Sequence, residues 1–285
     1  MNEINGKTDI YALIGNPIGH SLSPFIHNYF AKHTKNNTAY VAFNVENDNL
    51  KDAIKGAQSL GIKGLNVTMP YKQDIMPLLY EIDESAVRIN AVNTLKYTPN
   101  GYIGYNTDLF GFSKALEKHK ADVSGKRVIL LGAGGAAASA AFVMAEKKAS
   151  EIIIVNKTLS NANKLANLLK KYYNISIRCQ TYEDFKKEEA FMIVQTTSVG
   201  FSSLKEISPV SDICLFENIK FAFDLIYAPL ETVFLKMAKS SGCKPINGID
   251  TLIYQAAKAY EIWTDCKIDS ECINYLSKTI KGGFL

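Results

Sequence analysis

Between Val128 and Ala145 the chain carries no charged residue. That is about the length of apolar segment that crosses a bilayer as a helix, so this stretch limits the possible folds more than any other. Gly132, Gly134 and Gly135 decide between them. They split the run into Val128-Ile129-Leu130-Leu131 and an alanine-rich segment, Ala136 to Ala145, with Lys126-Arg127 before and Glu146 after. A short branched run bounded by glycine reads as a buried strand, and alanine is the strongest helix former. The stretch is therefore a strand, a tight turn and a helix, not a membrane span.

The same alternation recurs on both sides. Ile10 to Ile14 is a short apolar run, Pro24 to Thr34 a helix, Tyr40 to Val45 a strand, Leu50 to Leu60 a helix and Gly61 to Val67 another strand. This βαβαβ order predicts a mostly parallel sheet. A connecting helix, Leu109 to His119, leads to the polar turn Asp122-Val123-Ser124-Gly125-Lys126 and a second series. That series runs strand Val128 to Leu131, helix Ala136 to Ala145, strand Ile152 to Val155, helix Leu159 to Tyr173, then short strands near Ile175, Met192 and Phe221 to Asp224. Its order is that of a doubly wound, Rossmann-type sheet. After Asn247-Gly248-Ile249-Asp250 come two amphipathic helices, Thr251 to Trp263 and Ser270 to Lys281. The expectation is an α/β chain of two domains, residues 1–112 with 248–285 and residues 113–247, the C-terminal helices returning to the first. The 285 residues suit that count at roughly 100–200 per domain.

Composition narrows the partners. The formal charge is +4, and the lysines fall in scattered pairs (Lys147-Lys148, Lys170-Lys171, Lys186-Lys187), so nucleic acid is not expected. Five cysteines, odd in number and without a CxxC pair, suit a reducing compartment better than disulfides or zinc. His20 and His27 have no partner at a metal-ligand spacing, and no metal is expected. Met1 to Lys7 lacks the basic-then-apolar order of a signal peptide, which points to the cytoplasm and away from membranes. Monomer and homodimer both remain open.

The glycine turn has a chemical reading. In Gly132-Ala133-Gly134-Gly135-Ala136 the missing side chains let a pyrophosphate reach backbone N–H groups at the positive end of a helix. Such turns also arise for packing alone, but this one opens a βαβ unit. The next strand ends Val155-Asn156-Lys157-Thr158, where the adenine ribose of a dinucleotide lies. An NAD site places an acidic residue there. An ammonium and a hydroxyl, Lys157 and Thr158, suit the 2′-phosphate of NADP instead. Lysine is a point charge without a guanidinium fork, so a plainly solvated Lys157 is the competing reading.

Three polar clusters follow or interrupt strands of the first half: Gly15-Asn16-Pro17-Ile18-Gly19-His20-Ser21-Leu22-Ser23-Pro24, Asn66-Val67-Thr68-Met69-Pro70-Tyr71-Lys72, and Asn90-Ala91-Val92-Asn93-Thr94 with Gly104-Tyr105-Asn106-Thr107-Asp108. Ligands of open α/β sheets bind beyond the carboxyl ends of strands, so these loops should converge on a crevice suited to a polyhydroxylated acid. Taken singly, Ser21 and Ser23 also suit caps of the Pro24 helix, and Asn93 and Asn106 suit turns. With the glycine turn, Asp224-Leu225-Ile226-Tyr227-Ala228-Pro229-Leu230-Glu231-Thr232 and Asn247-Gly248-Ile249-Asp250-Thr251-Leu252-Ile253-Tyr254-Gln255-Ala256, these strings resemble the shikimate dehydrogenase family, in its order, from about Ile10 to about Thr264.

The resemblance implies a first domain that binds substrate, a second that binds NADP, and reversible NADPH-dependent reduction of 3-dehydroshikimate to shikimate on the route to aromatic amino acids. It implies that Ser21 and Ser23 bind the substrate carboxylate, that Asn66, Thr68, Asn93 and Gln255 hold ring hydroxyls, that Tyr227 also touches substrate, and that Lys72 and Asp108 form the catalytic pair. Asn156, Thr197 and Gly248 join the cofactor set. Hydride transfer must be coupled to movement of the hydroxyl proton, and Lys72 is the group for it, as acid, base or electrostatic stabiliser. The chain departs from the family at Lys157, where arginine is usual, at Asn161, where a second basic residue is common, at Gln195, usually asparagine, and at Phe201, usually methionine. Two rivals share these residues: an NAD-dependent quinate/shikimate dehydrogenase and a catalytically silent metabolite sensor. Thr68 and the two serines lean against quinate, the missing acid after Val155 against NAD, and retention of Lys72 with Asp108 against the sensor. Two domains use up the length, leaving no room for a fused dehydratase.

Overall fold

The computed structural model describes residues 4–283, so the first three residues of the N-terminal segment read above lie outside it. The chain divides into two compact units, Met1–Gly111 with Ile253–Leu285, and Phe112–Leu252.

The first unit is built on strands β1 (Asp9–Gly15), β2 (Thr38–Asn44), β3 (Gly64–Val67), β4 (Glu81–Ile82), β5 (Thr94–Thr98) and β6 (Gly101–Tyr105), in the order β2-β1-β3-β5-β6-β4. The helices are α1 (Ser23–Thr34), α2 (Leu50–Ser59), α3 (Glu84–Val87) and the start of α4 (Asp108–Lys118). Pairings β1–β2, β1–β3 and β4–β6 are parallel. β3–β5 and β5–β6 are antiparallel, so residues 94–105 form a hairpin where the polar clusters alone suggested loops. Thr98-Pro99-Asn100-Gly101 supplies its turn, with Gly101 at φ +137°. β1 and β3 are buried on both faces, which explains their near-continuous apolar sequence. The main core gathers Ala12, Ile14, Ile54, Leu65, Val67, Ile75, Val92, Leu95 and Tyr102.

The second unit carries β7 (Arg127–Leu131), β8 (Glu151–Val155), β9 (Ser176–Gln180), β10 (Met192–Gln195), β11 (Phe221–Asp224) and β12 (Lys244–Ile246) with helices α5 (Gly135–Glu146), α6 (Leu159–Lys170) and α7 (Val233–Ser240). All five pairings are parallel, in the order β12-β11-β10-β7-β8-β9. This is the doubly wound order, with its reversal between β7 and β10. Helix α5 is apolar on all sides because nearly all of it is buried, and its alanines let it lie close to the sheet. Among the described residues no helix is long and apolar enough to cross a membrane. Of this unit's α-helices and strands, α7 and the three-residue β12 went unread in the sequence, and α6 stops at Lys170, short of Tyr173.

Helices α8 (Ile249–Thr264) and α9 (Ser270–Lys281) complete the chain. From Ile253 onward they belong to the first unit. Trp263 stacks on Tyr11 at 4.9 Å and donates its indole N–H to the Leu95 carbonyl at 2.8 Å. Tyr275 of α9 stacks on Tyr29 of α1 at 4.9 Å.

Candidate active site

In the first unit a set of polar side chains gathers where β3 and β5 lie side by side. Lys72 follows the turn after β3; its carbonyl accepts from Val92 N–H at 2.8 Å, which ties that turn to the approach to β5. Asp108 opens α4, where the positive end of the helix favours a carboxylate. Asn106 caps this helix, its Oδ1 accepting from Asp108 N–H at 3.0 Å and Leu109 N–H at 3.4 Å, so the turn reading of Asn106 describes it well.

The two carboxylate oxygens of Asp108 have different partners. Oδ2 accepts from Lys72 Nζ at 2.5 Å and Oδ1 from Asn93 Nδ2 at 2.8 Å. The lysine and aspartate side chains are 21% and 20% exposed, so a charge-assisted bond is shielded yet reachable. Asn93 lies inside the structure, not in a turn: its Oδ1 accepts from Thr107 N–H at 2.8 Å, and its Nδ2 also approaches Thr107 Oγ1 at 3.1 Å and Gln255 Oε1 at 3.5 Å. Gln255, from α8, is thus drawn to the same cluster. Asn66 gives both amide protons away, to the Asn93 carbonyl at 3.2 Å and Thr94 Oγ1 at 3.1 Å, while its Oδ1 accepts from Tyr40 at 2.8 Å. Its contact with any further molecule would run through the remaining lone pair of Oδ1.

Thr68 is half-buried beside Gly15, where an added Cβ would lie 2.3 Å from its methyl. Ser21 Oγ accepts from Ser23 N–H at 3.2 Å, a local turn bond, and the N-cap of α1 is Leu22 without a side-chain cap. Both hydroxyl protons are therefore not engaged in capping. His27, next along α1, is fully buried and stacked on Tyr40 at 4.2 Å. Neither of its ring nitrogens makes a hydrogen bond among the described residues, and burial pushes its pKa down to about 3, outweighing the opposing effect of the nearby Asn66 amide. It is a neutral packing residue. Sequence reading missed Tyr40 as part of this cluster, and it placed Thr94 and Thr107 in the converging polar strings without giving either a role. Tyr40 and Thr94 offered one signal, a hydroxyl in a strand position that otherwise asks for an apolar side chain.

The second unit holds the glycine turn at the point where its strand order reverses. Gly132 has φ +112°, and a Cβ there would lie 2.5 Å from Thr196 Oγ1, so glycine is required for packing. Gly134 differs: it is exposed, and a Cβ would meet nothing within 4 Å. Helix α5 starts there with no side-chain cap and no acidic residue in its first turn. Open backbone N–H groups at Ala133, Gly134, Gly135 and Ala136 thus fit a pyrophosphate. Thr197 adjoins across the reversal; Gln195 orders its loop by accepting from Thr197 N–H at 2.7 Å and donating to the Val199 carbonyl at 2.7 Å. Beyond β8, Asn156 Nδ2 donates to the Thr158 carbonyl at 2.8 Å, and Lys157 and Thr158 are exposed at the uncapped start of α6. With no acidic residue in the first turn of α6, this end fits a 2′-phosphate better than a bare ribose. Tyr227, half-buried, has its ring 6.5 Å from Phe201. Gly248 has a packing reason of its own, since a Cβ would strike the Leu225 carbonyl at 2.1 Å.

Residues 13–95 match the model of the shikimate dehydrogenase substrate binding domain, and residues 114–205 that of shikimate / quinate 5-dehydrogenase. A protein of Caldanaerobacter subterraneus subsp. tengcongensis named shikimate dehydrogenase (NADP+) is 39% identical over 273 residues, 95% of this chain and 97% of that one. This chain belongs to the shikimate dehydrogenase family. Among solved structures, a shikimate dehydrogenase in complex with NADP+ superposes with a TM-score of 0.89 at 39% identity, covering 98% of each chain. The shikimate 5-dehydrogenase of Listeria monocytogenes, solved with shikimate and NAD, gives 0.87 at 29% identity over 98% of this chain and 99% of that one. The resemblance read from the six strings is thus borne out, and the family's α/β, two-domain, Rossmann-type architecture is the one observed.

Proposed function

We propose that this chain is a cytoplasmic, NADP-dependent shikimate dehydrogenase that reversibly reduces 3-dehydroshikimate to shikimate, a step of aromatic amino acid biosynthesis. The observation that carries the reading is the Lys72–Asp108 pair, at 2.5 Å, on a rigid cluster of amides and hydroxyls. NADPH, when bound, supplies the hydride. Residues 1–112 and 248–285 form the substrate-binding part and residues 113–247 the nucleotide-binding part.

In the reduction direction the ring oxygen gains negative charge as its carbon is reduced. Lys72 steadies that charge and gives it the proton, while Asp108 holds the ammonium in place and bonds the same hydroxyl. Ser21 and Ser23 donate to the substrate carboxylate; Thr68, Gln255 and the remaining lone pair of Asn66 take ring hydroxyls; Tyr227 is a further substrate-contacting residue. Asn93 acts through Asp108, its amide protons being held within the protein. Ala133, Gly134, Gly135 and Ala136 present N–H groups to the pyrophosphate, with Gly132 shaping the turn, Asn156, Lys157 and Thr158 around the 2′-phosphate, and Thr197 and Gly248 nearer the nicotinamide.

The test is a paired assay of purified protein with shikimate and quinate, each with NADP and NAD, followed by absorbance of the reduced nicotinamide. Strong turnover confined to shikimate with NADP is the expected result. Preference for quinate or NAD would make the chain the rival dehydrogenase, and ligand binding without turnover would make it a sensor.

A further inference from the structure

A run of hydrogen bonds, buried as far as Asn93 and part-buried at its end, connects the edge strand β2 to Asp108, and its direction is fixed. At Asn93, the backbone N–H of Thr107 can only donate, so the oxygen it reaches at 2.8 Å is Oδ1 and the amide nitrogen faces Asp108. At Asn66, the backbone carbonyl of Asn93 can only accept, so the atom facing it at 3.2 Å is Nδ2 and the amide oxygen faces Tyr40. The usual ambiguity of amide orientation is removed at both residues. Tyr40 must then donate to Asn66 Oδ1 at 2.8 Å, and Asn66 Nδ2 to Thr94 Oγ1 at 3.1 Å. Thr94, having accepted, has one proton, and the nearer of its two acceptors is Asn93 Oδ1 at 2.9 Å, against Thr107 Oγ1 at 3.2 Å. Asn93 Nδ2 completes the run on Asp108 Oδ1 at 2.8 Å.

Every bond in the run points the same way, from a phenol toward a carboxylate. Aligned donors polarise one another, and the effect is strongest where the final acceptor is an anion in a water-poor site. The starting group suits this role: Tyr40 is 4% exposed, is held flat by the stacked, neutral ring of His27, and has its pKa pushed well above the usual range by burial, so it remains a donor. The Ser23 hydroxyl interacts with the same phenol.

We propose that Tyr40 and Thr94 are positioning residues for the dehydrogenase reaction, the first and middle donors of a one-way chain through Asn66 and Asn93 that sets the carboxylate of Asp108 against Lys72. The proposal rests on the assignment of Lys72 and Asp108 as the reacting pair. Neither residue touches the pair; both act through Asn93.

Two measurements test it. In the free protein, the side-chain amide proton of Asn93 is followed by nitrogen-correlated NMR. Tyr40→Phe, three bonds of the chain away, is expected to shift that resonance, and in a Thr94→Val background the same change is expected to leave it still, because the chain is already cut. In turnover, Tyr40→Phe and Thr94→Val should each lower kcat by about threefold to tenfold, the range for loss of one hydrogen bond, with KM for shikimate changed less than twofold. The double variant should fall no further than the worse single one, and Thr94→Ser should restore the rate. An unmoved Asn93 resonance, rate losses that multiply, or a Thr94→Ser as slow as Thr94→Val would each overturn the proposal. Should Thr94→Val fail to fold, the Asn93 resonance in Tyr40→Phe decides alone. The NMR arm involves no substrate, so it separates failure of the chain from failure of the enzymatic reading, which would show as inactive wild-type protein.

Discussion

Lys72 and Asp108 were visible in the sequence as residue types suited to proton management, and the fold brings them to 2.5 Å. Lys72→Ala is expected to lower kcat by orders of magnitude with a modest change in KM, since a group that acts on developing charge contributes mainly to the transition state; steady-state kinetics checks this. The turn glycines look alike in sequence yet separate in space. Gly134→Ala adds a methyl that meets no protein atom, so thermal stability should hold or rise by a few tenths of a kcal/mol while KM for NADP climbs about tenfold. Gly132→Ala pushes a methyl to 2.5 Å from Thr196 at a left-handed φ and should lower the melting temperature first. What no reading of single residues could supply is the state of the amides. Asn66 and Asn93 look like free ligands in the sequence, and only their partners from β2, β5 and the start of α4 show how few of their valences remain.

The elements that were legible have a local code: branched runs for β1, β7 and β8, glycine and alanine for α5, amphipathic periods for α8 and α9. The hairpin of β5 and β6 went unread although Thr94-Leu95-Lys96-Tyr97-Thr98 alternates polar and apolar, because each end of it, Thr94 and Gly104-Tyr105, falls inside a polar string that reads as a loop. β12 is three residues long and held by pairing with β11, so its strand character comes from a neighbour. The seat of α8 on the first sheet is likewise a matter of fit: Gly64 leaves room for the Trp263 indole, and a Cβ there would come within 2.3 Å of it. Gly64→Ala should destabilise the first unit by about 1–3 kcal/mol, measured by urea unfolding, and should weaken shikimate binding because Gln255 rides on the same helix.

At the scale of the whole molecule, two buried groups tilt stability with pH in opposite directions. Asp224, in the second unit, accepts from Thr232 Oγ1 at 2.6 Å and Ile226 N–H at 3.0 Å, yet desolvation raises its pKa from 3.8 to about 7. The native state then holds a proton that the unfolded chain releases between these values, so this contribution is full below about pH 4 and fades as pH rises to about 7. His27, in the first unit, runs the other way: its pKa falls from 6.5 to about 3, and its contribution is present above 6.5 and lost as pH falls toward 3. Asp224→Asn keeps the shape and the bond from Ile226 N–H, with the new amide nitrogen donating to Thr232 Oγ1 where the carboxylate accepted from it, so denaturant melts near pH 8 should show it more stable than the parent, by a few kcal/mol at most, with the advantage vanishing near pH 4. An equal difference at both pH values would mean that Asp224 stays ionised. By itself, the sequence determined the two αβ series, the strand, turn and helix at Gly132 to Gly135, and the residue types available for hydride chemistry, because these depend on residues close together in the chain. The tertiary structure alone decided which amides are taken, which glycine guards a contact and which leaves backbone open, and how far a buried acid is desolvated, because hydrogen bonds, close contacts and dielectric are set by segments that meet only on folding.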